Sequence, residues 1–328
     1  MSDEEVSDDA PLLSLRDVRV TFRGERGREV RAVDGVDLDV RRGEVLALVG
    51  ESGCGKTTLI RSVLGLEPLS GGVVEWEGRS VDRSSAGLRS LRRKVQMIFQ
   101  DPTAALDPRH TIYEAVAEGL RIHRVRSDEV VQVGAALAAA GLRPPERFLD
   151  RYPHEVSGGQ RQRVLIAGAM ALGPELLLAD EPVASLDASI RGEILALLRS
   201  LVDQAGVSIV AVTHDLGLAW NIADRIAVMY LGRIVELGPA EAVLEAPRHP
   251  YTQALLSVVP EARHVEPQIL SGEAPDPARI PSGCRFHPRC PVVASGEAER
   301  LGILDRCRGT DVSLEVIGPG RAVACHVR

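Results

Sequence analysis

Hydrophobic residues along this chain recur with the spacing of short strands that alternate with helices. Apolar or alternating runs predict strands at residues 12–22, 30–40, 44–49, 73–81, 95–99, 176–179 and 208–213. Helical spacing or composition predicts helices at residues 57–66, 110–150, 161–172 and 191–204. Strands that alternate with helices indicate an α/β fold, in which helices cover both faces of a parallel sheet.

The two ends of the chain depart from this pattern. Residues 1–11 are acidic and polar, and we expect them to form a disordered tail. The alternating pattern fills residues 12–245, and we expect one domain there. Prolines then interrupt residues 246–328 repeatedly, which predicts an irregular C-terminal extension. With 328 residues, of which 45% are hydrophobic, the chain can bury a substantial core.

Charge and hydropathy exclude two classes of protein. The formal net charge is −7, whereas a dedicated nucleic-acid-binding protein usually carries a basic surface, so we expect no nucleic-acid partner. No apolar run approaches the roughly 18–20 residues that span a bilayer. The acidic start of the chain lacks the cationic and apolar regions of a signal peptide. We therefore expect a cytoplasmic protein.

A glycine-rich segment between a predicted strand and a predicted helix has the spacing of a phosphate-binding loop. It consists of Gly50, Glu51, Ser52, Gly53, Cys54, Gly55, Lys56 and Thr57, and Thr58 completes the predicted nucleotide-binding set. Its glycines allow backbone N–H groups to surround phosphate oxygens, and the helix dipole favours the same anion. We expect Lys56 to neutralise the β- and γ-phosphates and Thr57 to bind Mg²⁺.

A pair of carboxylates follows the predicted strand at residues 176–179. Asp180 is placed to hold Mg²⁺, and Glu181 is placed to orient and polarise an attacking water. Apolar strands often end in acidic residues, so this pair alone would be weak evidence for an ATPase. Together with the glycine-rich loop, it predicts an ATPase.

A third motif connects the chain with a known family. Val156 is followed by Ser157, Gly158, Gly159 and Gln160, and this segment resembles the signature motif of ABC ATPases. The resemblance implies that these residues bind the γ-phosphate held by an opposite subunit. Two ATP molecules would then lie between two subunits arranged head to tail.

Other motifs of the same family occur in the expected order. Gln100 matches the glutamine of the Q-loop, which contacts Mg²⁺ or the attacking water, and Asp187 matches the D-loop at the dimer interface. His214 matches the switch histidine near the γ-phosphate, and Phe22 lies where the family stacks an aromatic ring on adenine. The resemblance implies that Glu181, His214 and Gln100 act in hydrolysis. A capping histidine and a core phenylalanine are the structural alternatives for His214 and Phe22.

The resemblance also implies a detailed fold. It is a P-loop NTPase (RecA-like) core with a parallel sheet, an N-terminal antiparallel β subdomain and an α-helical signature subdomain at about residues 101–172. The irregular extension, which contains four cysteines, would follow. We expect the helical subdomain to receive a coupling helix from a membrane partner.

Two further segments indicate a particular group within the ABC ATPases. Residues 100–109 and the stretch 249–256 resemble the ATPases of dipeptide and oligopeptide importers, a group that includes some nickel importers. The resemblance implies an ATP-hydrolysing subunit on the cytoplasmic face of the cell membrane. Its partners would be a second ABC ATPase subunit, two transmembrane permeases and an extracytoplasmic solute-binding protein. A heterodimer of ATPases is favoured over a homodimer, and import of nickel or another small solute is the alternative.

Four of the five cysteines, Cys284, Cys290, Cys307 and Cys325, lie in the extension. Some members of the resembled group bind a four-iron, four-sulfur cluster through four such cysteines, and this is the favoured interpretation. Four thiolates also suit tetrahedral Zn²⁺, and four unligated thiols are the third alternative.

A soluble ABC ATPase of DNA repair or translation is the rival class of protein. Repair enzymes insert long coiled coils or zinc modules between the phosphate loop and the signature, and only about a hundred residues separate Gly50 from Ser157 here. Translation enzymes carry two cassettes in one chain, whereas this chain has one. The sequence therefore favours a transporter subunit.

Overall fold

The computed structural model describes residues 10–24, 27–259, 270 and 275–327, so the predicted tail at 1–11 lies almost wholly outside the described residues. The strands within them are, in chain order, β1 (Leu13–Arg23), β2 (Glu29–Val40), β3 (Val45–Val49), β4 (Gly71–Trp76), β5 (Arg79–Ser80), β6 (Val95–Ile98), β7 (Leu176–Asp180), β8 (Ser208–Thr213), β9 (Arg225–Tyr230), β10 (Arg233–Pro239), β11 (Glu315–Gly318) and β12 (Arg321–Val323).

The helices follow the same order. They are α1 (Lys56–Val63), α2 (Ser85–Lys94), α3 (Pro102–Ala105), α4 (Ile112–Ile122), α5 (Glu129–Ala139), α6 (Gly158–Met170), α7 (Ala188–Ala205), α8 (Leu216–Ile222), α9 (Ala240–Glu245), α10 (Pro250–Leu256), α11 (Pro291–Ala294), α12 (Glu297–Arg300) and α13 (Leu304–Gly309). None of the helices in the described part of the chain combines the length and apolar character that a membrane span requires.

The chain divides into two compact units. The first unit comprises residues 1–41, 46–81 and 213–328, and the second comprises residues 42–45 and 82–212. The C-terminal extension belongs to the first unit, together with the N-terminal strands. The predicted domain boundaries at 11/12 and 245/246 remain predictions.

An antiparallel sheet in the first unit has the strand order β2-β1-β4-β5. The apolar residues of β1 explain its place, because Leu13, Leu15, Val18 and Val20 are buried, whereas Arg16 and Asp17 are exposed. The strand predicted at 73–81 is two strands, β4 and β5. The break falls in a turn at Glu77 and Gly78, which both have positive φ.

The strand that leads into the phosphate loop is paired with other strands of the first unit. Strand β3 pairs in parallel with β9, which pairs antiparallel with β10. All five residues of β3 are buried, as its unbroken apolar run predicts. The extension contributes two strands at this edge: β12 pairs with β10, and β11 pairs with β12.

The second unit contains three parallel strands in the order β6-β7-β8. Strand β8 has the predicted bounds, and all six of its residues are buried. Helices α4 and α5 begin at polar caps, because the Thr111 side chain accepts from the Glu114 N–H and the Asp128 side chain accepts from the Val130 N–H. These caps fix where the predicted helical region becomes two separate helices.

Candidate functional site

The phosphate loop, Gly50–Thr57, joins β3 to α1 within the first unit. A Cβ on Gly50 would lie 2.2 Å from the Met229 carbonyl oxygen, and one on Gly55 would lie 2.0 Å from the Ala32 carbonyl oxygen. Gly55 also has a φ of +110°, which L side chains rarely adopt. Only glycine fits these positions, so the loop conformation is fixed by backbone segments distant in sequence.

Lys56 is buried inside the loop that precedes it. Its Nζ donates to the Gly50 carbonyl oxygen at 2.7 Å and to the Glu51 carbonyl oxygen at 2.9 Å. Ser52 and Gly53 are exposed on the loop, and Thr57 and Thr58 are partly buried in the first turn of α1. The ammonium group is therefore held at the loop by two backbone oxygens.

Cys54 is a buried part of the same loop. Its Sγ lies 3.7 Å from the Lys56 Nζ, and burial raises the pKa of the thiol. The side chain is thus a neutral group that fills space beside the lysine.

His214 follows β8 directly and belongs to the first unit. It is exposed, and the next residue begins α8, because the Asp215 carboxylate accepts from the Gly217 N–H at 2.8 Å. The capping residue is therefore Asp215, which removes the helix cap as the structural alternative for His214. Phe22 in β1 is 37% exposed, so the alternative of a core phenylalanine does not hold for it either.

In the second unit, the predicted carboxylates lie at the end of β7. Asp180 is the last residue of that strand and is buried, and Glu181 follows with a φ of 46°. The Glu181 N–H donates to the Val212 carbonyl oxygen at 3.0 Å. A left-handed conformation in a residue other than glycine is strained, and such strain is concentrated at functional sites.

Gln100 reaches this carboxylate. Its Nε2 donates to Glu181 Oε2 at 3.2 Å, although the two residues are 81 positions apart. The parallel pairing of β6 with β7 brings them together, because Ile98 lies opposite Ala179 near the carboxyl ends of both strands. An amide and a carboxylate at such an edge can hold and orient a water molecule.

The signature turn, Ser157–Gln160, starts α6. The Ser157 hydroxyl accepts from the Gln160 N–H at 3.2 Å, and Gln160 Oε1 accepts from the Ser157 N–H at 3.0 Å. This reciprocal capping box fixes the helix start with two local bonds. A Cβ on Gly159 would lie 2.7 Å from Ile190 Cγ2, so the turn packs closely on α7.

Asp187 is the N-cap residue of α7, and its side chain makes no capping hydrogen bond. A Cβ on Gly158 would lie 3.9 Å from Leu186 Cδ2, which is ordinary contact. The segments predicted as signature and D-loop are therefore neighbours in the second unit. This proximity was not visible in the sequence.

The four cysteines of the extension line one small cavity, with His249, His287 and His326 beside them. Among the described residues, however, no three histidine, cysteine or acidic side chains are grouped closely enough to hold a metal ion. Burial raises the pKa of Cys284 to about 12 and that of Cys325 to about 11. The predicted iron–sulfur cluster and the zinc alternative are therefore not supported by this structure.

Two residues at the phosphate loop were missed by sequence reasoning. The Glu51 N–H donates to the Tyr251 hydroxyl at 2.8 Å, and the Arg289 guanidinium donates to the Glu51 carboxylate at 2.7 and 3.0 Å. Tyr251 lies in the stretch 249–256, which indicates only a family resemblance, and Arg289 lies between Cys284 and Cys290 of the extension. No local signal reveals the contacts, because 200 and 238 residues separate the partners.

Two family models match the chain. The model described as "ABC transporter" matches residues 33–184, and the model described as "Oligopeptide/dipeptide transporter, C-terminal region" matches residues 235–296. A protein of Brucella abortus (strain 2308), whose name describes a peptide import ATP-binding protein, is 45% identical over 319 residues, covering 95% of this chain and 92% of the relative.

Solved structures are similar as well. The chain resembles cbiO1 from Clostridium perfringens, part of the ABC transporter complex cbiONQ, with a TM-score of 0.65 and 29% identity over 73% of this chain and 92% of that one. It also resembles the ATP-binding cassette MJ0796, in a dimeric post-hydrolysis state bound to ADP and Pi. That TM-score is 0.62, with 30% identity over 70% of this chain and 98% of that one.

Proposed function

This chain belongs to the ABC transporter family of ATPases and has the fold of its cassettes, and on that premise we propose that it powers the import of dipeptides or oligopeptides. The observation that carries this proposal is the match of residues 235–296 to the oligopeptide/dipeptide transporter C-terminal region. The sequence identity to relatives whose names describe peptide import extends over these residues and over the ATPase domain.

The phosphate loop supplies the nucleotide site in this proposal. Backbone N–H groups of Gly50–Thr57 and the N-terminus of α1 surround the phosphates, and Lys56 neutralises their charge. The support is the loop geometry, in which glycines at Gly50 and Gly55 admit no side chain and Lys56 is already held at the loop. Thr58 lies in the first turn of α1 beside Thr57. The ring of Phe22 stacks on adenine.

Hydrolysis is assigned to three side chains of the family motifs. Glu181 orients and polarises the attacking water, Gln100 holds Glu181 and that water, and His214 stabilises charge on the γ-phosphate. The Gln100–Glu181 hydrogen bond and the strained Glu181 backbone support these roles. Thr57, Gln100 and Asp180 are the residues that would hold Mg²⁺. The ion would neutralise charge on the β- and γ-phosphates.

The signature turn acts on a nucleotide held by another subunit. Ser157, Gly158, Gly159 and Gln160 present donors to its γ-phosphate, and Asp187 contacts the partner across the dimer interface. The exposed hydroxyl and the capped start of α6 support this role. We propose a heterodimer with a second ABC ATPase, bound to two permeases at the cytoplasmic face of the membrane and served by a solute-binding protein.

The direct test is transport by the assembled complex. The chain is purified with its co-purifying membrane subunits, and the complex is reconstituted in vesicles with its solute-binding protein. ATP-dependent uptake of labelled di- and tripeptides is expected. Uptake of Ni²⁺ without peptide uptake would refute the assignment to peptides, and co-purification with DNA or ribosomes would refute the transporter assignment.

The variant Glu181→Gln separates hydrolysis from binding. Because the amide cannot polarise water as the carboxylate does, turnover should fall by about 10²-fold or more while ATP binding persists. Phosphate release and equilibrium ATP titration measure the two quantities. Glu193→Gln is the matched control, since Glu193 is an exposed carboxylate of α7 paired with Arg163. Unchanged turnover in Glu181→Gln would reject the role.

A further inference from the structure

The N–H group, the carbonyl oxygen and the carboxylate of Glu51, in the phosphate loop, all form hydrogen bonds. Its N–H donates to the Tyr251 hydroxyl at 2.8 Å, and its carboxylate accepts two hydrogen bonds from Arg289 at 2.7 and 3.0 Å. Its carbonyl oxygen accepts from the Lys56 Nζ at 2.9 Å. One residue therefore connects the C-terminal extension with the lysine of the nucleotide site.

The contact between Arg289 and Glu51 has the geometry of a strong ion pair. The guanidinium binds the carboxylate through two parallel N–H groups, and the side chains are only 9% and 27% exposed. The hydrogen bond to Glu51 raises the pKa of Arg289, so the arginine is charged at all ordinary pH values. Solvent and salt screen such a largely buried pair less than a surface pair.

Both residues of the extension that reach Glu51 are fixed in a core. Tyr251 is fully buried and packs against Tyr230 and Phe286, with ring centroids 4.6 and 5.4 Å apart. Its own N–H donates to His249 Nδ1 at 3.0 Å. Arg289 ends a short turn in which its N–H donates to the Phe286 carbonyl oxygen at 3.0 Å. Rigid support of this kind allows a side chain to position another group.

The charge of Glu51 explains why such a contact would matter. An uncompensated carboxylate in a loop that receives a triphosphate repels the ligand, and the repulsion is larger where water is partly excluded. Arg289 cancels that charge at the loop itself. Tyr251 fixes the adjacent backbone, whose carbonyl oxygen is one of the two that hold Lys56.

We propose that Arg289 and Tyr251 are positioning residues of the nucleotide site, through which the C-terminal extension holds the phosphate loop and neutralises Glu51. The inference rests on the proposed nucleotide site and adds a role for the extension in the same subunit. It assigns the extension an effect on ATP affinity, in addition to any role in selecting membrane partners.

The test is equilibrium titration of the full chain with a fluorescent ATP analogue. Arg289→Gln should raise the Kd about tenfold, because it leaves the Glu51 carboxylate unneutralised. Arg289→Lys keeps the charge but loses the paired hydrogen bonds, and it should raise the Kd about threefold. The double variant Glu51→Gln/Arg289→Gln should bind no more weakly than Arg289→Gln alone, because the two groups act as one unit.

Arg285→Gln is the matched control for stability. Arg285 lies four residues earlier in the same segment, is equally buried and pairs with Asp34 and the Leu231 carbonyl oxygen instead of the phosphate loop. We expect this variant to lower the melting temperature at least as much as Arg289→Gln, with a Kd within about twofold of the wild type.

The possible failures are distinguishable. If the wild-type chain binds no nucleotide, the proposed function fails. If the wild type binds but Arg289→Gln stays within twofold of it, or if the effects of Glu51→Gln and Arg289→Gln are additive, the positioning role is overturned. Should Arg289→Gln unfold at the assay temperature, a double-mutant cycle of Glu51→Gln and Arg289→Lys tests the same positioning role.

Discussion

The phosphate loop and the signature turn are both glycine-containing starts of helices, yet they are held in different ways. At the signature turn, Ser157 and Gln160 cap α6 through two reciprocal bonds within four residues. At the phosphate loop, Gly55 precedes α1 and no side chain caps the helix. Its conformation depends on the close approach of distant backbone and on Glu51, which the extension contacts.

The difference follows from what each helix start has to do. At α1 no side chain caps the helix, so its start can serve the phosphates through the backbone, whereas at α6 the Gln160 N–H donates to the local cap. Such a loop needs support from elsewhere in the fold. The signature turn keeps a local cap and can present its exposed hydroxyl without help from distant residues. Three substitutions, two of them with a matched control variant, break or sharpen this comparison.

The largest effect is expected from Gly55→Ala. The new Cβ would lie 2.0 Å from the Ala32 carbonyl oxygen at a φ of +110°. Strain and the steric conflict should together cost about 3 kcal/mol of unfolding free energy or more, and nucleotide affinity should fall by about 100-fold. Chemical denaturation and nucleotide titration measure both quantities.

Gly134→Ala provides the comparison for Gly55→Ala. Gly134 lies in α5, and a Cβ there meets no atom within 4 Å. The substitution should stabilise the protein by up to about 1 kcal/mol through helix propensity. A phosphate loop that tolerated alanine at Gly55 as well as α5 does at Gly134 would show that distant backbone does not fix the loop.

An intermediate effect is expected from Ser157→Ala. Loss of the cap should cost about 1 kcal/mol of unfolding free energy. The Kd of the isolated chain for ATP should stay within about twofold, because the phosphate loop does not depend on this turn. Turnover by the assembled transporter should fall about tenfold or more, since the hydroxyl would no longer reach the partner's nucleotide.

Ser84→Ala removes a comparable cap without touching either motif. Ser84 caps α2 and accepts from the Gly87 N–H at 3.2 Å. Its loss should lower stability by a similar amount, about 1 kcal/mol, and leave turnover unchanged. Equal turnover in the two variants would mean that Ser157 is only a helix cap.

The smallest effect is expected from Cys54→Ala. Cys54 is buried beside Lys56 as a neutral thiol, and the loop holds phosphate through its backbone. Removing the sulfur should cost about 1 kcal/mol of stability and change the Kd for ATP by less than about threefold. A loss of more than tenfold in the titration would assign the side chain a direct role at the nucleotide.

Particular residues explain how far sequence reasoning could go. The bounds of β8 were predicted correctly because the apolar residues 209–212 lie between Ser208 and Thr213. The single strand predicted at 73–81 was wrong in detail, since a two-residue turn at Glu77 and Gly78 carries a weak signal. The four cysteines were predicted to form a metal site, but cysteine spacing alone does not determine whether side chains converge as ligands.

The sequence by itself determined the family and the order of the motifs, because these depend on residue types within a few positions of one another. The helix predicted at 161–172 begins three residues earlier, at Gly158, where the Ser157 cap sets its start. The tertiary structure alone decided that Gln100 contacts Glu181 and that Arg289 and Tyr251 hold Glu51. Those contacts join residues 81 to 238 positions apart. Hydrophobic period and turn chemistry act only over short distances along the chain, whereas such contacts arise from the packing of strands and helices within each unit.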